Sequence, residues 1–63
     1  MRWKTCDEIK DKTIVKGFET HNRYYYAPSG LQLMRRDAKN VYIKHGHGEI
    51  EALPLATKFL IEN

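Results

Sequence analysis

The chain has 63 residues and a mass of 7.4 kDa, which is enough for a single domain over residues 1–63 with one small core. Hydrophobic residues make up 41% and charged residues 30%, which excludes a disordered chain, and no apolar run is long enough to cross a membrane. The net charge is +3, and ten of the eleven Lys and Arg residues lie in residues 1–44. This basic front half favours an anionic partner.

The cysteine content and the N-terminus indicate the cellular compartment. Cys6 is the single cysteine, so the chain has no internal disulfide and is unlike a small secreted protein. The first residues are charged and lack the apolar stretch of a signal peptide. We therefore expect an intracellular, cytoplasmic protein that makes no contact with a membrane.

The N-terminal segment contains a pattern that often begins a helix. Thr5 is followed three residues later by Glu8, which is the spacing of a capping box. Trp3, Cys6 and Ile9 would then share one face of a helix of one or two turns. The alternative for this segment is a frayed N-terminal strand.

The middle of the chain has the composition of β-strands. β-Branched and aromatic residues predict strands over 13–19, 23–27 and 41–45, and alternation of apolar and polar residues predicts another over 31–35. Pro28-Ser29-Gly30 predicts a turn, since proline presets φ and glycine accepts a positive φ.

The predicted turn at Pro28 sets which side chains face the core. With a four-residue loop over 27–30, Tyr26 lies opposite Leu31 and Tyr24 opposite Leu33, on the core side of the hairpin. We therefore expect these two tyrosines to be buried.

A second hairpin follows from a tight turn at Gly46-His47. This turn sets Ile43 opposite Ile50, Val41 opposite Ala52 and Lys44 opposite Glu49. A slip of one residue would pair Ile43 with Glu51, so we prefer the first register. The predicted buried residues of the whole chain are Tyr24, Tyr26, Leu33, Ile43, Phe59 and Leu60.

The C-terminal segment has apolar residues at helical spacing. Leu55 and Phe59, then Ala56 and Leu60, recur at i and i+4, and Pro54 suits the first position of a helix. The expected fold class is α+β: a small antiparallel β-meander of four to five strands with a C-terminal helix and, as an alternative to a strand, a short N-terminal helix.

The histidines are the residues that could carry chemistry. His45, His47 and Glu49 lie within five residues, but zinc sites usually bring two separate ligand pairs together, so we interpret this segment as a solvated turn. Cys6 with a histidine is too common a combination to indicate a nucleophile. We expect no catalytic residue, no metal and no cofactor, and we expect that the protein is not an enzyme.

The strongest functional signal is the non-core face of the hairpin around Pro28. Basic side chains bind phosphates, glutamine reads adenine edges and tyrosine stacks on bases. We predict a small regulatory module whose partner is nucleic acid. The alternative is a protein-interaction module, such as an inhibitor or adaptor of the phage or mobile-element type, that binds a larger protein through the same face; a homodimer is a further option. The predicted binding residues are Lys16, Arg23, Tyr25, Gln32, Met34, Arg35 and Arg36.

One segment resembles a known family. Residues 22–33, which contain three tyrosines and Pro28-Ser29-Gly30, look like the strand–turn–strand of methyl-CpG-binding domains, and Arg2-Trp3 is similar to that family's opening Gly-Trp. The resemblance implies a DNA-binding hairpin. Met34 stands where the family usually has a base-reading arginine, and Asn22 where it has an aspartate, so we do not assign the chain to this family.

Overall fold

A computed structural model of the chain describes residues 1–62. It contains six strands and one short 3₁₀ helix: β1 (Arg2–Thr5), the 3₁₀ helix (Cys6–Glu8), β2 (Ile14–Thr20), β3 (Arg23–Arg36), β4 (Asn40–Lys44), β5 (Ile50–Pro54) and β6 (Lys58–Ile61). All six strands form one antiparallel sheet in the order β1–β6–β2–β3–β4–β5. The expected antiparallel sheet is confirmed, but the α+β class is wrong, because residues 1–62 contain no α-helix.

Strand β3 is continuous over 14 residues, so the predicted turn at Pro28 and the hairpin around it are wrong. Tyr26 pairs with Gly17 and Leu31 with Val15, so both sides of the Pro28 segment pair with the same strand, β2. Residues 27–30 lie opposite the single residue Lys16. The segment is therefore a large bulge, with four residues opposite one, that bends β3 without reversing it. Gly30 supplies the positive φ of 87° at this bend.

Because β3 does not reverse, its side chains alternate between the two faces of the sheet on either side of the bulge. Leu31 and Leu33 face the core and are 6% and 1% exposed. Tyr24 and Tyr26 lie at even positions and face outward, with 52% and 51% of their surfaces exposed. Their predicted burial is therefore wrong.

The bend divides the sheet into two layers that enclose the core. The first half of β3 pairs with β2, which continues to β6 and β1, and the second half also pairs with β4, which continues to β5. The predicted burial of Leu33, Ile43, Phe59 and Leu60 is confirmed. The core cluster contains Cys6, Ile9, Val15, Phe18, Leu31, Leu33, Val41, Ile43, Leu53, Phe59 and Ile61.

The N-terminal segment combines both predicted alternatives. Residues 2–5 form a strand, and a single 3₁₀ turn follows it. The predicted capping box is present: the Thr5 backbone N–H donates a hydrogen bond to Glu8 Oε2 at 3.2 Å. Cys6, at the start of this turn, is buried in the core.

The β4–β5 hairpin adopts the register that the sequence analysis rejected. Val41 pairs with Leu53, and Ile43 with Glu51. The loop is closed by His45 N–H, which donates to the Glu49 carbonyl at 2.8 Å. This register buries Leu53 instead of the smaller Ala52. Glu51 stays exposed next to the loop of the hairpin, where its carboxylate bonds His45.

The predicted C-terminal helix is replaced by a turn and strand β6. Thr57 N–H donates to the Pro54 carbonyl at 3.0 Å, and β6 then runs between β1 and β2. Phe59, Leu60 and Ile61 are all buried because both faces of β6 are covered. A short apolar run of this kind does not distinguish a strand buried on both faces from a helix.

The turn between β3 and β4 is held by one carboxylate. Asp37 accepts hydrogen bonds from the backbone N–H groups of Lys39 and Asn40 and from the Tyr42 hydroxyl, the last at 2.7 Å. The Tyr42 hydroxyl bond, followed by the two backbone bonds, lowers the pKa of Asp37 to about 2. The same bond raises the pKa of Tyr42.

We expect the substitution Phe59→Ala to lower the free energy of unfolding by about 3–5 kcal/mol, because Phe59 is fully buried at the centre of the core. Such a loss would leave a large fraction of the molecules unfolded, because the total free energy of unfolding of a domain of this size is small. Urea unfolding followed by circular dichroism measures it. A variant as stable as the parent would show that β6 is not part of the core.

We expect the Tyr42→Phe substitution to raise the pKa of Asp37, measured from its side-chain carboxyl carbon shift by NMR. The folded pKa lies below the unfolded one, so the Asp37 bonds stabilise the fold above about pH 4 and this stabilisation is lost as the pH falls towards 2. As the pH falls from about 4 to about 2, the melting temperature of Tyr42→Phe should therefore decrease less than that of the parent. An unchanged Asp37 titration would contradict the assignment.

Candidate functional site

Three exposed aromatic side chains lie together on the outer face of the β1–β6–β2–β3 layer. Trp3 pairs with Leu60, Leu60 with Gly17, and Gly17 with Tyr26, so these residues form one row across four strands. Directly paired residues share a face of the sheet. Tyr24 lies two residues before Tyr26 and therefore joins the same face. We name Trp3, Tyr24, Tyr26, Gly17 and Leu60 the aromatic patch.

The rings of the aromatic patch contact one another and remain accessible. Trp3 meets Tyr24 edge to face with ring centroids 5.4 Å apart, and Tyr24 stacks with Tyr26 at 6.5 Å. Trp3 is 43% exposed, and the two tyrosines are each about half exposed. Leu60 lies in the same row and is 7% exposed. The patch is thus an apolar base with three ring surfaces open to solvent.

Gly17 allows β2 and β3 to approach closely beneath the patch. A Cβ at this position would lie 2.4 Å from the Tyr25 carbonyl oxygen, so no other residue fits without backbone movement. Trp3 reaches Tyr24 on β3 although two strands separate β1 from β3.

The face of the aromatic patch carries balanced charge. Glu19 and Lys58 pair with each other in the row next to the patch, between Thr5 and Tyr24. Lys4, Lys16 and Arg23 are each one position away from a patch residue on their strands, so their side chains leave the sheet from the opposite face. Lys58 is therefore the cation that shares the face of the patch among residues 1–62 of these four strands.

The structure places two of the predicted binding residues in a cleft on the opposite side of β3. Tyr25 stacks on buried Phe18 with ring centroids 4.9 Å apart and stays 44% exposed. Tyr25 and Arg23 line a cleft of about 490 Å³ that reaches Glu51 and Leu53 on β5.

Two further predicted residues come together on the outer face of the other layer. Gln32 pairs with Lys44, and Arg35 pairs with Tyr42. The Arg35 guanidinium lies 5.1 Å from the centre of the Tyr42 ring, a cation–π arrangement. Met34 lies between them at an irregularity of β3 and is half-buried.

Lys16 and Arg36, the remaining predicted residues, make contacts that support the fold. Lys16 Nζ donates to the Pro28 carbonyl at 3.4 Å, across the bulge of β3. Arg36 Nη1 donates to the Cys6 carbonyl at 2.7 Å. The seven predicted residues thus lie in separate places, because the hairpin that was expected to join them does not exist.

The sequence analysis missed Trp3, Tyr24 and Tyr26 as exposed residues. Three consecutive tyrosines in a strand must alternate between faces, so at least one of them points away from its neighbours. That alternation was a usable signal, but the assumed reversal at Pro28 assigned Tyr24 and Tyr26 to the core. Nothing in the sequence placed Trp3 beside them, because β1 is connected to β3 only through β6 and β2.

Each histidine of the β4–β5 loop pairs with a glutamate. His45 Nε2 lies 2.8 Å from Glu51 Oε1, and His47 Nε2 lies 3.0 Å from Glu49 Oε1. The bond from His47 lowers the pKa of Glu49. Within residues 1–62, no three His, Cys, Asp or Glu side chains form a group that could hold a metal ion.

No protein-family model, curated protein or solved structure matches this chain. In the segment that resembles methyl-CpG-binding domains, the expected turn is a bulge inside one strand. Among residues 1–62, no helix has the length and hydrophobicity required to cross a membrane.

We expect the Gly17→Ala substitution to destabilise the fold by about 1–3 kcal/mol, because the new methyl group would collide with the Tyr25 carbonyl. Gly46→Ala is the matched control, since a Cβ there meets no atom within 4 Å. Urea unfolding of both variants measures the difference. Equal stability of the two variants would contradict the close packing at Gly17.

Proposed function

We propose that this protein is a small binding module that holds single-stranded nucleic acid on the aromatic patch. The observation that carries the proposal is the cluster of three exposed rings, Trp3, Tyr24 and Tyr26, on the open face of a sheet. Each stacked base contributes about 1–3 kcal/mol of binding free energy. Bases in a duplex hide their faces in the helical stack, so a stacking surface of this kind prefers single strands.

The charge of the chain supports the same proposal. The net charge is +3, and Lys58 lies on the face of the patch, in the row that contains Tyr24. A cation beside a stacking surface binds the phosphates between stacked bases. The nucleic acid would then be held mainly by stacking, with a smaller contribution from charge and little preference for sequence.

A second candidate function is binding of a larger protein through the same patch, as an inhibitor or adaptor would. It is favoured by the composition of the patch, because tryptophan and tyrosine around a buried leucine are typical of interface hot spots. The pairing of Glu19 with Lys58 beside the patch also leaves its surface nearly neutral. Such a complex would tolerate salt, whereas a nucleic-acid complex would weaken as salt rises.

Trp3 gives a direct test, because it is the single tryptophan of the chain and lies in the patch. We expect single-stranded DNA or RNA oligonucleotides to quench Trp3 fluorescence, and duplexes of the same length to quench it less. Added salt should weaken the binding by reducing phosphate contacts. An absence of quenching by any oligonucleotide at low salt would contradict the proposal, and salt-tolerant binding of one protein would support the second candidate.

The three adjacent tyrosines provide matched variants for this test. Tyr24→Ala or Tyr26→Ala should each weaken binding by about 1–3 kcal/mol, while Tyr25→Ala, on the opposite face, should leave it unchanged. Circular dichroism checks that each variant is folded. Loss of binding in Tyr25→Ala or Arg35→Ala, with Tyr24→Ala unaffected, would instead assign binding to the residues predicted from the sequence.

A further inference from the structure

The sheet has two free edges that differ in chemistry. β1 and β5 are the outer strands of the sheet, and each pairs with one neighbour within residues 1–62. β1 has the sequence Arg-Trp-Lys-Thr, and its Arg2 and Lys4 protect the edge from pairing with a copy of itself, because like charges repel. β5 has the sequence Ile-Glu-Ala-Leu-Pro and carries no lysine or arginine. β5 therefore lacks the basic side chains that protect β1, and its one proline, Pro54, stands at the end of the strand.

The hydrogen bonds of the β4–β5 hairpin show which groups of β5 face outward. His45 N–H bonds the Glu49 carbonyl, and hydrogen-bonded pairs in an antiparallel ladder recur at every second residue. Glu51 and Leu53 therefore direct their backbone groups to β4. Ala52, at the centre of the five-residue strand, directs its N–H and its C=O away from the sheet.

We propose that β5 pairs with β5 of a second copy of this chain and forms a homodimer. A two-fold axis at Ala52 sets Ala52 opposite the Ala52 of the other protomer, where each N–H meets the other C=O. The same axis sets Ile50 opposite Pro54, whose carbonyl already accepts from Thr57 N–H at 3.0 Å, so the backbone hydrogen bonds of the interface come from the Ala52 pair. Pro54 lacks an N–H, so it has no donor that this pairing would leave unsatisfied.

The side chains of β5 fit this two-fold arrangement. Ile50 is 53% exposed in the single chain, and the pairing covers it with Pro54 of the other protomer. Glu51 lies opposite Leu53, so the two copies of Glu51 do not face each other. The contact is one short strand on each side, less than the roughly 800 Å² per partner of a standard interface. The dimer is thus weak and depends on protein concentration.

Sedimentation velocity, measured at chain concentrations from micromolar to millimolar, tests the proposal. We expect the mass to rise with concentration towards twice the 7.4 kDa of one chain. Ile50→Lys places two cations in the interface and should keep the mass at that of one chain. Ile14→Lys is the matched control, because Ile14 is an equally exposed isoleucine, 51%, outside the proposed interface.

Amide hydrogen exchange of the unmodified protein gives a second test that does not depend on the folding of a variant. The Ala52 amide should exchange quickly at low concentration and slowly at high concentration, while the Glu51 amide, bonded to β4, should stay protected throughout. A single-chain mass at every concentration, with Ala52 never protected, would overturn the proposal. So would a dimer that Ile14→Lys disrupts and Ile50→Lys does not.

Discussion

The pairing of β3 with β2 on both sides of its bulge is the constraint on which the rest of the structure depends. Gly17 and Val15 of β2 pair with Tyr26 and Leu31 of β3, and the residues between them on β3 absorb the bend. Because the partner strand is the same on both sides, β3 leaves the bulge bent but not reversed. The second half of β3 is then free to pair with β4, which begins the second layer of the sheet. Both layers, and the core between them, follow from this one irregularity.

Local composition predicted several elements correctly, because those elements depend on neighbouring residues alone. The strand expected over 13–19 belongs to this class, since the structure has β2 at Ile14–Thr20. The two residues after it, His21 and Asn22, both have positive φ, as a two-residue hairpin turn requires. Val41 and Ile43 likewise lie in a strand and in the core, as their β-branched side chains predict.

The errors arose where distant partners overrode local signals. Pro28 and Gly30 are turn residues by composition, yet pairing with β2 on both sides makes them part of a bulge. Phe59 and Leu60 fit a helix by spacing, yet their neighbours are strands β1 and β2. No sequence pattern within residues 54–61 indicates that β1 and β2 are the neighbours of this segment. The candidate site was missed for the same reason, since Trp3 and Tyr24 meet only through the order of strands in the sheet.

The pairing of β1 with β6 makes the order of chain synthesis matter. Arg2 pairs with Ile61, and Trp3 with Leu60, so β1 has no partner in this sheet until the segment through β6 has been synthesised. Contacts between residues so distant in sequence form slowly, because a long loop must close first. The hairpins β2–β3 and β4–β5 join neighbouring segments and can form earlier. Trp3 therefore reaches Tyr24 in a late step of folding: it leaves the ribosome before the tyrosines, but it joins their surface only after β6 lies between β1 and β2.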